Sequence, residues 1–330
     1  MERLLRIVTG LVFVVVSAGV LNTALAAQPA ARYPERPIRL VVPYPPGGTA
    51  DVMARIIGLK LGEKWNRSIV IDNRGGAGGN IATEMVARAE SDGYTLLLCN
   101  APVLAINPTL YKKVAFDPIK DFAPVGPIAE VPLFLLVHPS VPAKTFSEFF
   151  AYVKARSGKL NYASGSVGST THLAAELFKT MTKVAMNHIP YKGSGPALAA
   201  MAAGEVTIMF ELMPSAMPFV KSERLRALAV TSGQRSPLMP SLPTIAETGL
   251  PGFEVASWFA LCAPGATPRT VVDKVNAEMV ALIKTPEMRE QLLKLGAQPL
   301  TMTPGEFGSF IKSEIVKWSK VVKDSGARLD

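Results

Sequence analysis

The chain has 330 residues, 48% of them hydrophobic, 18% charged, and a formal net charge of +9. That length suits two domains, and the composition excludes a disordered protein or a nucleic-acid-binding tail. The basic excess suits an anionic ligand or surface, but net charge alone does not place it.

Residues 1–26 read as a signal peptide. Arg3 and Arg6 form a positive start, Leu11 to Val16 and on to Leu25 an apolar stretch, and Ala24-Leu25-Ala26 a small-x-small cleavage site. Ser17, Gly19, Asn22 and Thr23 interrupt the run, which argues against a membrane anchor. No Cys follows the cleavage site, so no lipid attachment is signalled. Cleavage removes two arginines and one glutamate and leaves a charge of +8. No later stretch is apolar enough to span a bilayer.

From Pro37 onward strand-like and helix-like runs alternate. Ile38 to Val42 is a strand, Ala50 to Lys64 a helix, Ile69 to Ile71 a strand, Ile81 to Ala89 a helix and Tyr94 to Leu98 a strand. This β-α-β-α-β order predicts a parallel sheet covered by helices. Continuously apolar strands fit burial on both faces. A proline-rich stretch from Pro102 to Pro142 follows, carrying the extended run Val131 to Val137. The alternation then restarts with a helix at Ser147 to Arg156, strands at Leu160 to Ala163, His188 to Pro190, Val206 to Phe210 and Leu225 to Val230, and helices at Thr171 to Met181, Pro196 to Ala203 and Ala216 to Val220. After a Pro/Gly/Ser segment come a strand from Val255 to Ala263 and three helices.

Two βαβ units joined by extended segments near Val131 and Val255 predict an α/β fold of two Rossmann-like lobes linked by two hinge strands. The first lobe is discontinuous, residues 32–130 plus 253–330, and the second is 131–252. A cleft between such lobes is a hinge-closing binding site.

Two loops have ligand-holding chemistry. Tyr44-Pro45-Pro46-Gly47-Gly48-Thr49-Ala50-Asp51 lies between a strand and a helix. Its prolines stiffen it, its glycines let N–H groups face outward, and Thr49 or Asp51 can cap the helix. A helix N-terminus there offers free N–H donors and a positive dipole to a carboxylate. Ser164 to His172 repeats the arrangement, with the hydroxyls of Ser166, Ser169 and Thr170 beside the next helix. Further on, Tyr191 can line a pocket and Lys192 can offset ligand charge. Glu211 is read either as a contact for a ligand amine or as a solvated loop acid.

Enzyme signatures are weak. Ser164-Gly165-Ser166-Val167-Gly168 approximates a nucleophile elbow, but His172 follows Ser166 by only six residues and the other histidines are His138 and His188. Gly75 to Asn80 departs from the dinucleotide fingerprint and reads as a tight turn. Walker, CxxC and HExxH spacings are absent, so neither a cofactor nor a metal is expected. Cys99 and Cys262 sit in apolar runs and read as two buried thiols, with a disulfide as the alternative.

The segments YPERPIRLVVPYPPGGTAD, NRGGAGGN, DGYTLLL, NPTLY, FDPIKDFAPV, YASGSVGSTTHLAAELF, HIPYKGSGPA, RALAVTS, PSLPTIAETGLPGFE and PGATP, taken in order, resemble the substrate-binding components of tripartite tricarboxylate transporters, the Bug family. The resemblance runs from about Tyr33 to the C-terminal helix. It implies a type II periplasmic-binding-protein fold, a periplasmic location, no catalysis, and delivery of a di- or tricarboxylate, aromatic acid or amino acid to a large and a small membrane subunit. A monomer with no nucleic-acid partner is expected. By position it carries a carboxylate-binding role onto Tyr44, Gly47, Gly48, Thr49, Asp51, Ser166, Ser169 and Thr170, and less directly onto Tyr191 and Lys192. Three positions depart from the family pattern. Glu211-Leu212 stands where Asp-Asn is common, Gly75 where proline is usual, and Cys99 where a small hydroxyl residue or glycine is common. The alternatives from other classes are a ligand sensor feeding a membrane kinase and a secreted serine hydrolase built on Ser166.

Overall fold

The computed structural model describes residues 32–329; the signal-peptide reading falls outside them. Contacts divide the chain into residues 1–35 and 36–330, and the architecture below is that of the second unit.

Ten strands form one sheet in the order Ile69–Asn73 (β2), Ile38–Val42 (β1), Thr95–Asn100 (β3), Ala256–Pro264 (β9), Phe122–Val137 (β4), Ile208–Leu212 (β7), Asn161–Ser164 (β5) and Asn187–Pro190 (β6), with Arg226–Val230 (β8) and Gln298–Pro299 (β10) also pairing β4. β1 (Ile38–Val42) lies between β2 (Ile69–Asn73) and β3 (Thr95–Asn100), all parallel. β5 (Asn161–Ser164) lies between β6 (Asn187–Pro190) and β7 (Ile208–Leu212), again all parallel. Each half therefore repeats the same three-strand unit. The loops that follow β1 and β5 occupy equivalent central places at the carboxyl ends of parallel strands, where open α/β sheets bind ligands.

β4 (Phe122–Val137) joins the halves. Its first part pairs antiparallel with β9 (Ala256–Pro264) as far as Pro132↔Ala256. From Leu133 it pairs instead with β7 and with β8 (Arg226–Val230). The sequence reading saw only Val131 to Val137 as extended, because Pro124 and Pro127 argue against a central strand. The ladder accommodates them by slipping register between Pro124 and Gly126 and between Pro127 and Ala129.

At the switch in pairing, buried Thr231 ties the two crossing segments together. Its hydroxyl accepts from Leu133 N at 2.8 Å and donates to Val255 O at 2.6 Å. Backbone bonds from Thr231 N to Leu133 O and from Val255 N to Thr231 O flank it.

The helices follow their sequence signals closely. α1 (Thr49–Trp65) ends at Asn66 in a left-handed conformation, and α2 (Asn80–Ala87) follows a short turn at Ala77–Gly79. The stretch after β3 stands out in the sequence only as proline-rich. It holds a widened helical turn, Pro102–Ile106, running into α3 (Asn107–Leu110). α4 (Phe146–Ala155) begins with a Thr145/Glu148 capping box. α5 (Thr170–Thr182), α6 (Ser194–Ala202) and α7 (Met213–Lys221) complete the second half. α8 (Arg269–Ile283), α9 (Pro286–Lys294), the two-residue strand β10 (Gln298–Pro299) and α10 (Pro304–Ser325) return to the first. Within α10, the buried carboxylate of Glu314 accepts from the indole N–H groups of both Trp258 and Trp318, at 3.0 and 2.8 Å.

Cys99 and Cys262 are joined in a disulfide between β3 and β9, and both are fully buried. This replaces the reading of two free thiols. Neither local run encodes the neighbouring registers Leu97↔Cys262 and Cys99↔Ala260 that bring them within reach.

Candidate functional site

Three strand-to-helix junctions meet on one cavity of about 60 Å³. The first is the loop from β1 into α1. Gly48 precedes the helix in an extended conformation and no side chain caps it. The N–H groups of Thr49 and Ala50 are thus left for an acceptor. Asp51 and Gly47 stand just behind the cavity wall. Asp51 Oδ2 accepts from Gly47 N at 3.1 Å, and Arg55 pairs with the same carboxylate at 3.0 Å. Burial pushes this carboxyl up, but the bonds from Arg55 and Gly47 outweigh it and hold it below the usual range. Its role is to fix the loop with Gly47 at φ +90°, a backbone region that favours glycine.

The second junction runs from β5 into α5. Ser166, Ser169 and Thr170 all line the cavity. The Ser169 hydroxyl is already used: it donates to Ser166 O at 2.7 Å and caps α5 by accepting from His172 N at 3.2 Å. Thr170 reaches across the cleft to Ser257 at 3.4 Å. Gly168 lies at φ +76°, and a Cβ there would stand 1.8 Å from Leu110 Cδ2 of α3, so any other residue is strained and must displace Leu110.

Behind this loop His172 and His188 stack with ring centroids 4.0 Å apart. His172 Nδ1 accepts from Gly168 N at 3.0 Å, and His188 Nε2 lies 2.6 Å from Ser164 Oγ. Burial lowers both, to about 4 and about 3, so both rings are neutral near neutral pH. Neither imidazole bonds to Ser166, so the triad geometry of a serine hydrolase is not assembled.

The third junction, from β6 into α6, supplies Gly193 and Ser194 to the wall. This helix start also lacks a side-chain cap. In the sequence, Tyr191 and Lys192 of this junction stand out instead. Tyr191 and Lys192 line the mouth, a space of about 500 Å³ that shares Tyr44, Pro45, Gly165, Ser166 and Gly193 with the cavity and is completed by the glycine turn Gly75 to Gly79.

Tyr44 Oη donates to Asn100 Oδ1 at 3.3 Å. Asn100, Ser257 and Phe259 complete the wall from β3 and β9; no local pattern marks them. The halves touch around the cavity. A Cβ on Gly193 would lie 3.3 Å from Pro45 Cδ, and one on Gly48 would lie 3.7 Å from Ser194 Cβ. Among the described residues lining the cavity there is no Lys, Arg, Asp or Glu.

Glu211 is the penultimate residue of β7 and is 0% exposed. The solvated-acid reading is therefore corrected: an apolar strand and α7 enclose it. Its Oε1 accepts from Ser215 Oγ at 2.7 Å and from Leu212 N at 3.0 Å. Burial pushes its carboxyl up to about 7 against the pull of Ser215, Ser194 and Leu212 N.

The model of the "Tripartite tricarboxylate transporter family receptor" family matches residues 53–327. The chain belongs to this family of solute-binding receptors. It is not an enzyme. The receptor is 39% identical over 298 residues to the protein BugT of Bordetella pertussis, covering 90% of this chain and 91% of that one. Among solved structures it is 40% identical to an R. palustris protein determined with adipate, with a TM-score of 0.88 over 90% of this chain and 100% of the other. MatC from Rhodopseudomonas palustris, determined with bound malate, is 34% identical, with a TM-score of 0.82 over 88% of this chain and 100% of the other. These neighbours share the two-lobed type II fold. Among the described residues no helix of the receptor is long and apolar enough to cross a membrane.

Proposed function

We propose that the receptor captures a small carboxylate between the lobes 32–130 plus 253–330 and 131–252. It works in the periplasm after removal of residues 1–26, as a monomer, and presents its load to the large and small membrane subunits of a tripartite tricarboxylate transporter. One observation carries the carboxylate reading. Uncapped or partly capped N-termini of α1, α5 and α6 converge on a cavity lined by no ionic side chain. Such a site neutralises an anion with amide N–H groups and helix dipoles instead of a fixed cation. The relatives solved with adipate and malate support the same class.

In this reading Gly48, Thr49, Ala50, Thr170, Thr171 and Ser194 supply amide donors, and Tyr44 and Ser166 add hydroxyls. Gly47, Asp51 and Ser169 hold the loops in shape, while Tyr191 and Lys192 guide the anion at the mouth. Closure excludes water and strengthens each contact.

The test is thermal melting of the mature protein against mono-, di- and tricarboxylates, including amino acids and aromatic acids. A ligand at about 100 times its Kd adds about 2.7 kcal/mol, a shift of several degrees. Absence of any shift across the panel refutes the reading. Gly168→Ala, which forces the second loop against Leu110, is expected to abolish the shift.

A further inference from the structure

Glu211 is a carboxyl group with no exposure to solvent. Its Oε1 has two donors, but its Oε2 has no hydrogen-bond partner. Buried polar atoms are almost always paired, and an orphan of this kind calls for an explanation. Among the described residues no Lys or Arg forms an ion pair with it. The groups around it belong to the cavity wall. Leu212 and Ser194 line the cavity, and the Ser194 hydroxyl acts on the Glu211 carboxyl. Ser215, the third residue of α7, links Glu211 to Thr49, which lines the cavity from the opposite lobe, with Thr49 Oγ1 and Ser215 Oγ 3.1 Å apart.

The direction of that chain follows from counting protons. Ser215 has one hydroxyl proton, and both of its other neighbours, Glu211 Oε1 and Leu212 O, are acceptors. Glu211 Oε1 already accepts from Leu212 N, so Ser215 spends its proton on Oε1 or on Leu212 O and accepts from Thr49. The Thr49 hydroxyl is then spent as a donor and offers only lone pairs to anything else. At this point the wall offers an acceptor, the Thr49 hydroxyl oxygen, while the helix N-termini elsewhere offer donors.

We propose that Glu211, acting through Ser215 and Thr49, is a specificity determinant, and that the ligand carries beside its carboxylate a hydrogen-bond donor, a hydroxyl or an ammonium group. The inference rests on the carboxylate reading above. The amide donors hold the carboxylate, and the second group meets the Thr49 oxygen. An unsubstituted acid leaves that oxygen without a donor, which a closed site penalises.

The experiment compares matched acids on the mature protein freed of co-purified ligand. Titration calorimetry measures Kd for succinate, malate and aspartate, and for adipate, 2-hydroxyadipate and 2-aminoadipate. The expected result is that, in at least one series, the hydroxy or amino acid binds at least about tenfold more tightly than the unsubstituted acid, the worth of one good hydrogen bond. The preferred member of the pair identifies the donor as hydroxyl or ammonium. In Glu211→Gln the preference ratio is expected to fall about tenfold, because the amide can reverse the hydroxyl chain. Ser215→Ala cuts the chain at its middle and is expected to lower the ratio likewise, which covers the case of a Glu211→Gln protein that does not fold.

Carboxylates that bind without preference, or a ratio unchanged in both variants, overturn this inference and leave the carboxylate reading standing. If no carboxylate binds the wild-type protein, both fall.

Discussion

Replacing Thr231 by valine keeps the side-chain shape and removes one hydroxyl. That hydroxyl is the donor to Val255 O at 2.6 Å and the acceptor from Leu133 N at 2.8 Å, at a residue with 0% exposure. Both backbone partners lie on the segments that cross between lobes, and water cannot replace the lost bonds without opening the hinge. Leaving the Leu133 N–H buried and unpaired costs about 1–3 kcal/mol, and the lost bond to Val255 O adds about 1, so the variant loses about 2–4 kcal/mol. Thr231→Ser, which keeps the hydroxyl and loses a methyl, is expected to lose about 1 kcal/mol. Urea denaturation of the ligand-free protein, followed by circular dichroism, measures both. The reasoning is refuted if Thr231→Val costs less than Thr231→Ser, for then the hydroxyl contributes nothing at the hinge.

Glu314→Leu strands two buried indole N–H groups, those of Trp258 and Trp318, and is expected to cost about 2–5 kcal/mol with a change in tryptophan fluorescence. Substituting both Cys99 and Cys262 by alanine opens a link spanning 163 residues, for which the chain-entropy ceiling is about 5 kcal/mol, and denaturation midpoints measure the loss. His172 and His188 are held neutral by burial, at about 4 and about 3. The unfolded chain takes up protons first, so their contribution is complete above about pH 6.5 and declines as pH falls towards those values, by up to about 1.4 kcal/mol per unit for each ring. Glu211, raised to about 7, acts in the opposite sense over about pH 4.5–7 and offsets part of this. Stability measured between pH 7.5 and 4.5 is therefore expected to fall less steeply in a His172→Gln/His188→Gln protein than in the wild type. An unchanged slope rules the pair out as the acid-sensitive element.

Much of the architecture was legible because its signals are local. Apolar runs of strand length, amphipathic runs of helix length and small residues between them report on a few neighbouring positions. The loops at Tyr44 to Asp51 and Ser164 to His172 were visible for that reason, and so was the alternation that places them after equivalent strands. The proline-bearing half of β4 was missed because bulges, which depend on the partner strand, rescue prolines that local propensity rejects. The helical turn at Pro102 to Leu110 was hidden in the same proline-rich stretch.

The sequence by itself determined the α/β alternation, the family, and the two principal anion-facing loops, because each of these is written in contiguous residues. The tertiary structure alone decided that Cys99 meets Cys262, that Thr231 clasps both crossings, and that Asn100, Ser194 and Ser257 share a wall with Thr49. It also decided that Glu211 is buried at the wall instead of solvated. Each of these is a meeting between segments far apart in the chain, fixed by strand register and lobe closure, and no run of neighbouring side chains carries that information.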